Sequence, residues 1–154
     1  MALIKSISGI RGTIGGKQGE GLSPTDVVKF TIAFGLWICK RSEATKKKIV
    51  IGRDARLSGE MVKNLVVGAL QSIGIDVIDL GLSTTPTVEI AVTDQNADGG
   101  IILTASHNPK QWNALKLLNE KGEFISGEDG AEVLAIADKG DFTFAEVNHL
   151  GNYF

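Results

Sequence analysis

The chain carries one cysteine, Cys39, among its 154 residues. An internal disulfide is therefore excluded. Cys39 sits inside an apolar helical pattern, where a thiol packs as a small apolar residue, and a chain without disulfides suits a reducing compartment. There are two histidines, His107 and His149; far apart and with one cysteine, they make no zinc site. Excess charge is also missing: 16 basic against 18 acidic residues leave a net charge of −2. That provides no field to attract nucleic acid or an anionic membrane. No stretch reaches the ~18 apolar residues that a spanning helix needs, and Met1–Lys5 lacks the long apolar region of a signal peptide. These absences predict a cytoplasmic protein with neither a nucleic-acid nor a membrane partner.

Several sites fail on spacing. No Gly-x-Gly-x-x-Gly occurs, and Gly16-Lys17 lacks both the earlier glycine and the following Ser or Thr of a phosphate-cradling P-loop. There is no Gly-x-Ser-x-Gly elbow. Asp94 to Gly99 opens like a calcium loop, but the bidentate Glu position falls on Ala105 and a strand pattern follows at once.

What is present is a chain of 43% hydrophobic residues, enough for a core, with a length that predicts a single domain over residues 1–154. Its 19 glycines cluster between periodic segments, so they act as punctuation. Ser23-Pro24-Thr25-Asp26 reads as a capped helix start, and the helix runs to about Lys40. It is apolar on more than one side, through Val27, Val28, Phe30, Ile32, Phe34, Leu36, Trp37 and Ile38. Such a helix is expected to be covered widely, including by a neighbouring domain or subunit, so weak self-association is expected. Lys47–Ile51 reads as a buried strand. Ser58 caps a second helix that Gly74 ends. Residues 75–80 form a strand, Thr85-Pro86 opens a third helix, and 99–103 and 115–118 are strands. Ser126 starts a last, alanine-rich helix. The alternation predicts an α/β layered sheet.

That architecture places ligands beyond the carboxyl ends of strands. Two segments follow strands directly: Gly52-Arg53-Asp54-Ala55-Arg56 and Thr104-Ala105-Ser106-His107-Asn108-Pro109. Together they offer cations, small residues and a hydroxyl, the ingredients of phosphate chemistry. Each also has a bland reading. Asn108-Pro109 is ordinary turn chemistry. Arg53, Asp54 and Arg56 also read as an internal salt-bridge cluster, and Arg11 as a solvated cation in a glycine-rich loop. Lys116 interrupts the apolar run Leu115-Lys116-Leu117-Leu118, where a charge needs a partner, a cleft or the exposed face of an edge strand. Trp112 fits either core or rim. Ser106 and His107 are adjacent, which turns their side chains apart and argues against a hydrolytic pair.

The Thr104–Pro109 loop, Ser8-Gly9-Ile10-Arg11-Gly12, Gly52–Arg56 and Asn113-Ala114-Leu115-Lys116 together resemble the first domain of the α-D-phosphohexomutases, over essentially the whole chain. The resemblance implies a three-layer α/β/α sandwich with a mixed, mostly parallel sheet. It implies a catalytic group of Ser106 as phosphoserine, Arg11, Lys116 and His107. Thr104, Asn108, Arg53, Asp54, Arg56 and Asn113 are implied to bind substrate or phosphate or to support the loop. The phosphate oxygen on Ser106 would ligate Mg²⁺, with the remaining ligands in a second domain absent here. The family's activity is isomerisation of hexose or hexosamine phosphates through a bisphosphate. Ser-Gly-Ile-Arg-Gly resembles the phosphoglucosamine branch, with phosphomannomutases and phosphoglucomutases next. A sugar-phosphate-binding module without turnover is the reading from another class. Asn113-Ala114 departs from the family's Asn-Gly, and Ile7-Ser8 from its usual preceding segment. The chain is expected to be one part of a four-domain enzyme, inactive by itself.

Overall fold

The computed structural model describes residues 2–6 and 9–154; Ile7 and Ser8, part of the first motif, lie outside the described residues. Six strands form one sheet: β1 (Leu3–Ser6), β2 (Gly9–Thr13), β3 (Lys48–Arg53), β4 (Asp76–Leu82), β5 (Gly99–Leu103) and β6 (Trp112–Leu118). Their order is β1-β2-β6-β5-β3-β4. The strands β5, β3 and β4 are parallel neighbours, as right-handed crossovers through helices require. By contrast, β6 is antiparallel to both β5 and β2, and β2 is antiparallel to β1. The sheet is mixed, as expected, but not mostly parallel: two strand pairings are parallel and three antiparallel, because β6 returns as a hairpin from β5 and the β1–β2 pair adds to it. The amino-terminal pair β1–β2 was not anticipated as strands, and β6 begins at Trp112 instead of Leu115, so Asn113-Ala114 is strand and not turn.

Four helices cover this sheet: α1 (Pro24–Arg41), α2 (Gly59–Ser72), α3 (Thr85–Asp94) and α4 (Gly127–Lys139). Local chemistry sets their ends. Ser23 accepts from the Asp26 N–H while Asp26 accepts from the Ser23 N–H, a complete capping box with Pro24 in the first turn. Thr84 and Ser126 cap α3 and α4 in the same single-bond manner. Gly140 closes α4 in the left-handed region. Ser58 precedes α2 but makes no side-chain cap; its hydroxyl instead accepts from Asn113.

The strand alternation sorts the core. Ile49 and Ile51 face the larger cluster, packed under α1, α2 and α4, while Val50 faces a smaller cluster under α3. Three layers result. Most of the apolar surplus of α1 is taken up within the chain, because α1 lies between α2 and α4, while Val28 and Leu36 stay half-buried. Phe30, Phe34, Trp37 and Ile38 are all fully buried. Beside its amino-terminal half an open apolar groove remains, between Val28, Leu65 and Phe144.

In β6, Leu115 and Leu117 join the large cluster and Leu118 the small one. By the two-residue period of a strand, Lys116 and Ala114 share the α3 side of the sheet with Leu118. Ile10 belongs to the large cluster, so Arg11 projects to that same side. The single helix α3 packs on β3 and β5 there. The surface above β6 and β2 is left for polar side chains.

Candidate active site

The antiparallel pairing of β5 with β6 makes the segment between them a long hairpin connection, and Ser106 sits in it. The Asn108 N–H bonds the Ala105 carbonyl, so Ala105–Asn108 is a β-turn with Ser106 at its first central position. Ser106 has φ of +53°, one of two non-glycine residues in the left-handed region among the described residues. A positive φ at that position alone is the pattern of a type II′ turn, normally filled by glycine. Holding serine there costs on the order of 1–3 kcal/mol, and the surrounding bonds must hold it.

Those bonds come from below. The Ser106 N–H donates to Thr104 Oγ1 at 3.1 Å, and that hydroxyl donates to Asp54 Oδ2 at 2.6 Å. On the other side, Arg56 Nη2 donates to the Ser106 carbonyl at 2.7 Å. Its Nη1 donates to the carbonyls of Pro109 at 2.8 Å and Trp112 at 3.1 Å. Its Nε donates to Asp54 Oδ2 at 3.1 Å. The loops after β3 and β5 thus meet at the carboxyl ends of two parallel strands, where the topology calls for a site.

The exposed side of this loop forms one wall of a cleft of about 290 Å³, lined by Arg11, Ala105, Ser106, His107, Asn108 and Lys116. Lys116 Nζ donates to Ser106 Oγ at 2.6 Å. Arg11 Nη1 donates to Asn108 Oδ1 at 3.4 Å. Lys116 lies in an interior strand, beside Gly9 of β2 and Ile102 of β5, and not on an edge strand. Among the described residues neither Arg11 nor Lys116 pairs with a carboxylate, and none lines the cleft. Two cations lining a cleft with a hydroxyl, and no carboxylate beside them among the described residues, have the chemistry to hold an anion such as a phosphoryl group. Gly9 permits this closeness: a Cβ there would lie 2.2 Å from the Leu115 carbonyl oxygen, forcing β2 away from β6.

All four residues expected to be catalytic, Ser106, Arg11, Lys116 and His107, line this one cleft, and so does Asn108. The remaining candidates stand behind the loop. Thr104 and Asp54 form the bridge to the Ser106 amide. Arg53 donates to the Asp54 carbonyl and packs near Gly59. Arg56 has an 11% exposed side chain whose donors are engaged by backbone and Asp54. Asn113 is fully buried and links β6 to Ser58. Trp112 is half-buried at the start of β6 and contributes its carbonyl to Arg56. The linkage of Thr104 to Asp54, across 50 residues, had no sequence signal beyond the two segments being neighbours of strand ends.

Among the described residues no group of three or more His, Cys, Asp and Glu side chains is arranged to hold a metal ion. The only described carboxylate bonded to the loop, Asp54, is engaged by Arg56 and Thr104. The residues present therefore do not by themselves make a Mg²⁺ site. No helix of the described residues is long and apolar enough to cross a membrane.

Residues 3–144 match the family model described as phosphoglucomutase/phosphomannomutase, alpha/beta/alpha domain I. A phosphoglucomutase/phosphomannomutase of Thermococcus kodakarensis is 40% identical over 91% of this chain and 31% of its own length. A phosphoglucosamine mutase of Helicobacter pylori is 43% identical over 74% of this chain and 25% of its own. The crystal structure of a phosphoglucomutase/phosphomannomutase family protein from Burkholderia thailandensis superimposes with a TM-score of 0.81 at 25% identity. That match covers 98% of this chain and 32% of the other. The chain thus spans a third or less of the length of these relatives. The domain model over residues 3–144, these relatives and the shared fold agree: the chain belongs to the phosphoglucomutase/phosphomannomutase family, as its α/β/α domain I.

Proposed function

We propose that this chain is the phosphoryl-carrying part of a phosphohexomutase, with Ser106 as the carrier. The observation that supports the reading best is the 2.6 Å contact of Lys116 Nζ with Ser106 Oγ. In the proposed cycle the bond between Ser106 Oγ and phosphorus breaks as a sugar-phosphate hydroxyl oxygen bonds to phosphorus, giving free serine and a sugar bisphosphate. The reverse transfer takes the other phosphoryl group back to Ser106 and leaves the isomeric monophosphate. Lys116 is placed to give a proton to the departing Ser106 oxygen while the proton of the attacking sugar hydroxyl leaves to water; on the return Lys116 takes the Ser106 proton back and the departing sugar oxygen is protonated from water. Arg11 keeps its charge in both steps, so it orients the sugar hydroxyl and neutralises the transferring oxygens. His107 and Asn108 contact phosphate or sugar at the rim.

The Mg²⁺ that the family resemblance implies would neutralise charge on the transferring group. This chain would offer it only a phosphoryl oxygen on Ser106, the other ligands coming from elsewhere in a longer protein. Residues 1–154 alone should therefore bind but not turn over, since one missing charge clamp can cost ~10³-fold or more. Hexosamine phosphate is the proposed substrate, glucosamine phosphate first. Mannose and glucose phosphates follow, because the Thermococcus kodakarensis relative carries the phosphoglucomutase/phosphomannomutase name. The test is the full-length protein assayed on all three sugar phosphates, with intact-mass measurement of the phosphate. Ser106→Ala should abolish turnover and the phosphate adduct together while the fold survives. Normal turnover by that variant would defeat the proposal. Absence of turnover on every sugar, with binding retained, would favour the non-catalytic module.

A further inference from the structure

We propose that Arg56 is a positioning residue for phosphoryl transfer, clamping the backbone of Ser106 in the left-handed turn so that its oxygen stays on Lys116. The inference rests on the reading of Ser106 as carrier. It assigns Arg56 no contact with the phosphate.

The geometry is a two-sided hold on one residue. The Ser106 N–H is tied to Thr104 Oγ1 and through it to Asp54, while the Ser106 carbonyl is tied to Arg56 Nη2. Asp54 closes the ring, because its Oδ2 accepts from both Thr104 Oγ1 and Arg56 Nε and its Oδ1 accepts from the Arg56 N–H. The two peptide groups that flank Ser106 Cα are thereby fixed to one carboxylate–guanidinium unit. They define φ and ψ of that residue, and φ is +53°. Without the clamp a serine returns to negative φ, which swings Cβ and carries Oγ off the 2.6 Å contact with Lys116.

Arg56 also ties the turn to the strand that bears Lys116. Its Nη1 bridges the carbonyls of Pro109 and Trp112, and Trp112 is the first residue of β6. One planar guanidinium thus sets nucleophile and cation in a common frame. Lysine cannot replace it, since a single ammonium cannot span carbonyls on both sides of the turn while pairing with Asp54. A displacement of about 1 Å in such an arrangement costs roughly 10²-fold in rate.

The test uses the full-length enzyme and four variants. Arg56→Lys is expected to stay folded at the assay temperature with a melting temperature lowered by only a few degrees, to keep KM within about threefold, and to lose about 10²-fold in kcat. Arg56→Ala is expected to regain at least about tenfold of its lost kcat in millimolar guanidinium ion but not in methylammonium. Thr104→Val, which cuts the other side of the clamp, should lower kcat in the same way. Ser106→Ala separates the two claims. If it retains turnover, the carrier reading fails. If it is inactive while Arg56→Lys has normal kcat, the positioning inference alone is wrong. Loss of activity in Arg56→Lys that tracks unfolding, or appears only in KM, overturns the inference as well. Should Arg56→Ala not fold, Arg56→Lys and Thr104→Val decide.

Discussion

Replacing Lys116 by methionine removes the ammonium and keeps most of the stem. Its neighbours across the sheet are Gly9 and Ile102, so the stem lies over a glycine on one side and apolar packing on the other. No carboxylate partner is lost among the described residues, and methionine adapts to such a site. Stability should move by no more than about 0.5 kcal/mol, as for other substitutions away from core and caps. Removing the bond to Ser106 Oγ is different. Loss of a positioned acid–base group costs about 10²–10⁴ in rate, or about 2.7–5.4 kcal/mol of barrier at 1.36 kcal/mol per decade. Lys116→Arg separates charge from proton transfer, since arginine supplies a cation but does not give up its proton. In steady-state kinetics on the full-length protein, Met and Arg should fall together by 10²-fold or more in kcat, with urea midpoints unchanged. If Lys116→Arg keeps kcat within tenfold of wild type, the lysine is an electrostatic partner and the proton step is wrong. If Lys116→Met turns over normally, the whole placement of Lys116 in the chemistry is wrong.

Gly9→Ala puts a methyl 2.2 Å from the Leu115 carbonyl oxygen, and backbone cannot yield like a side-chain tip. It should cost about 1–3 kcal/mol, lowering the urea midpoint by roughly 0.5–1.5 M at a slope near 2 kcal/mol/M; an unchanged midpoint contradicts the close β2–β6 approach. Gly68→Ala is the converse: mid-helix in α2 and exposed, with nothing within 4 Å of the added Cβ, it should stabilise by about 0.5–1 kcal/mol in the same assay. Glu120 has its pKa lowered: burial opposes the shift, but its own backbone N–H and Arg41 outweigh it. A depressed folded pKa contributes stability above the ordinary glutamate range, near 4.3, and loses it as pH falls through the folded value. With both side chains more than a third exposed, Glu120→Gln should cost less than about 1 kcal/mol at pH 7. The gap from wild type should close as the pH is lowered through that range, and a gap independent of pH would refute the ion-pair origin.

The elements that were legible in the sequence carry their signals locally. Ser23 with Asp26, Ser126 and Gly74 mark helix ends by chemistry within three residues, and Lys47–Ile51 and Gly99–Leu103 are buried runs that need no partner to be recognised. β1 and β2 lacked such a signal. Both are short; β2 is glycine-rich and alternates Ile10 and Gly12 with Arg11 and Thr13, so a strand looked like a loop, and β1 has only four residues. Only the pairing of β2 with β6, and of β1 with β2, makes them a sheet edge. Lys116 announced a cleft or an exposed edge, and the choice depended on β2 covering the far side of β6. The roles of Asp54 and Arg56 were ambiguous for a related reason. An Arg-Asp-x-Arg run looks alike whether its donors meet phosphate or main chain, and the acceptors here are carbonyls 50 residues or more away.

The two halves of the sheet divide the work. The parallel half, β5-β3-β4, brings two carboxyl-end loops together, and from these come Ser106 and the Asp54–Arg56 unit beneath it. The antiparallel half, β2 and β6, supplies Arg11 and Lys116 from strand interiors, where backbone bonding on both sides fixes their positions. The serine is thus carried by a loop whose backbone is held from beneath, and the two cations by strands whose positions the sheet bonding fixes. The strain at Ser106 follows from that division. The β5–β6 hairpin must turn back sharply enough for the serine to stand over Lys116, ten residues further along. A relaxed turn would leave hydroxyl and ammonium apart, so the left-handed conformation is a requirement of the contact, and the backbone clamp is what sustains it.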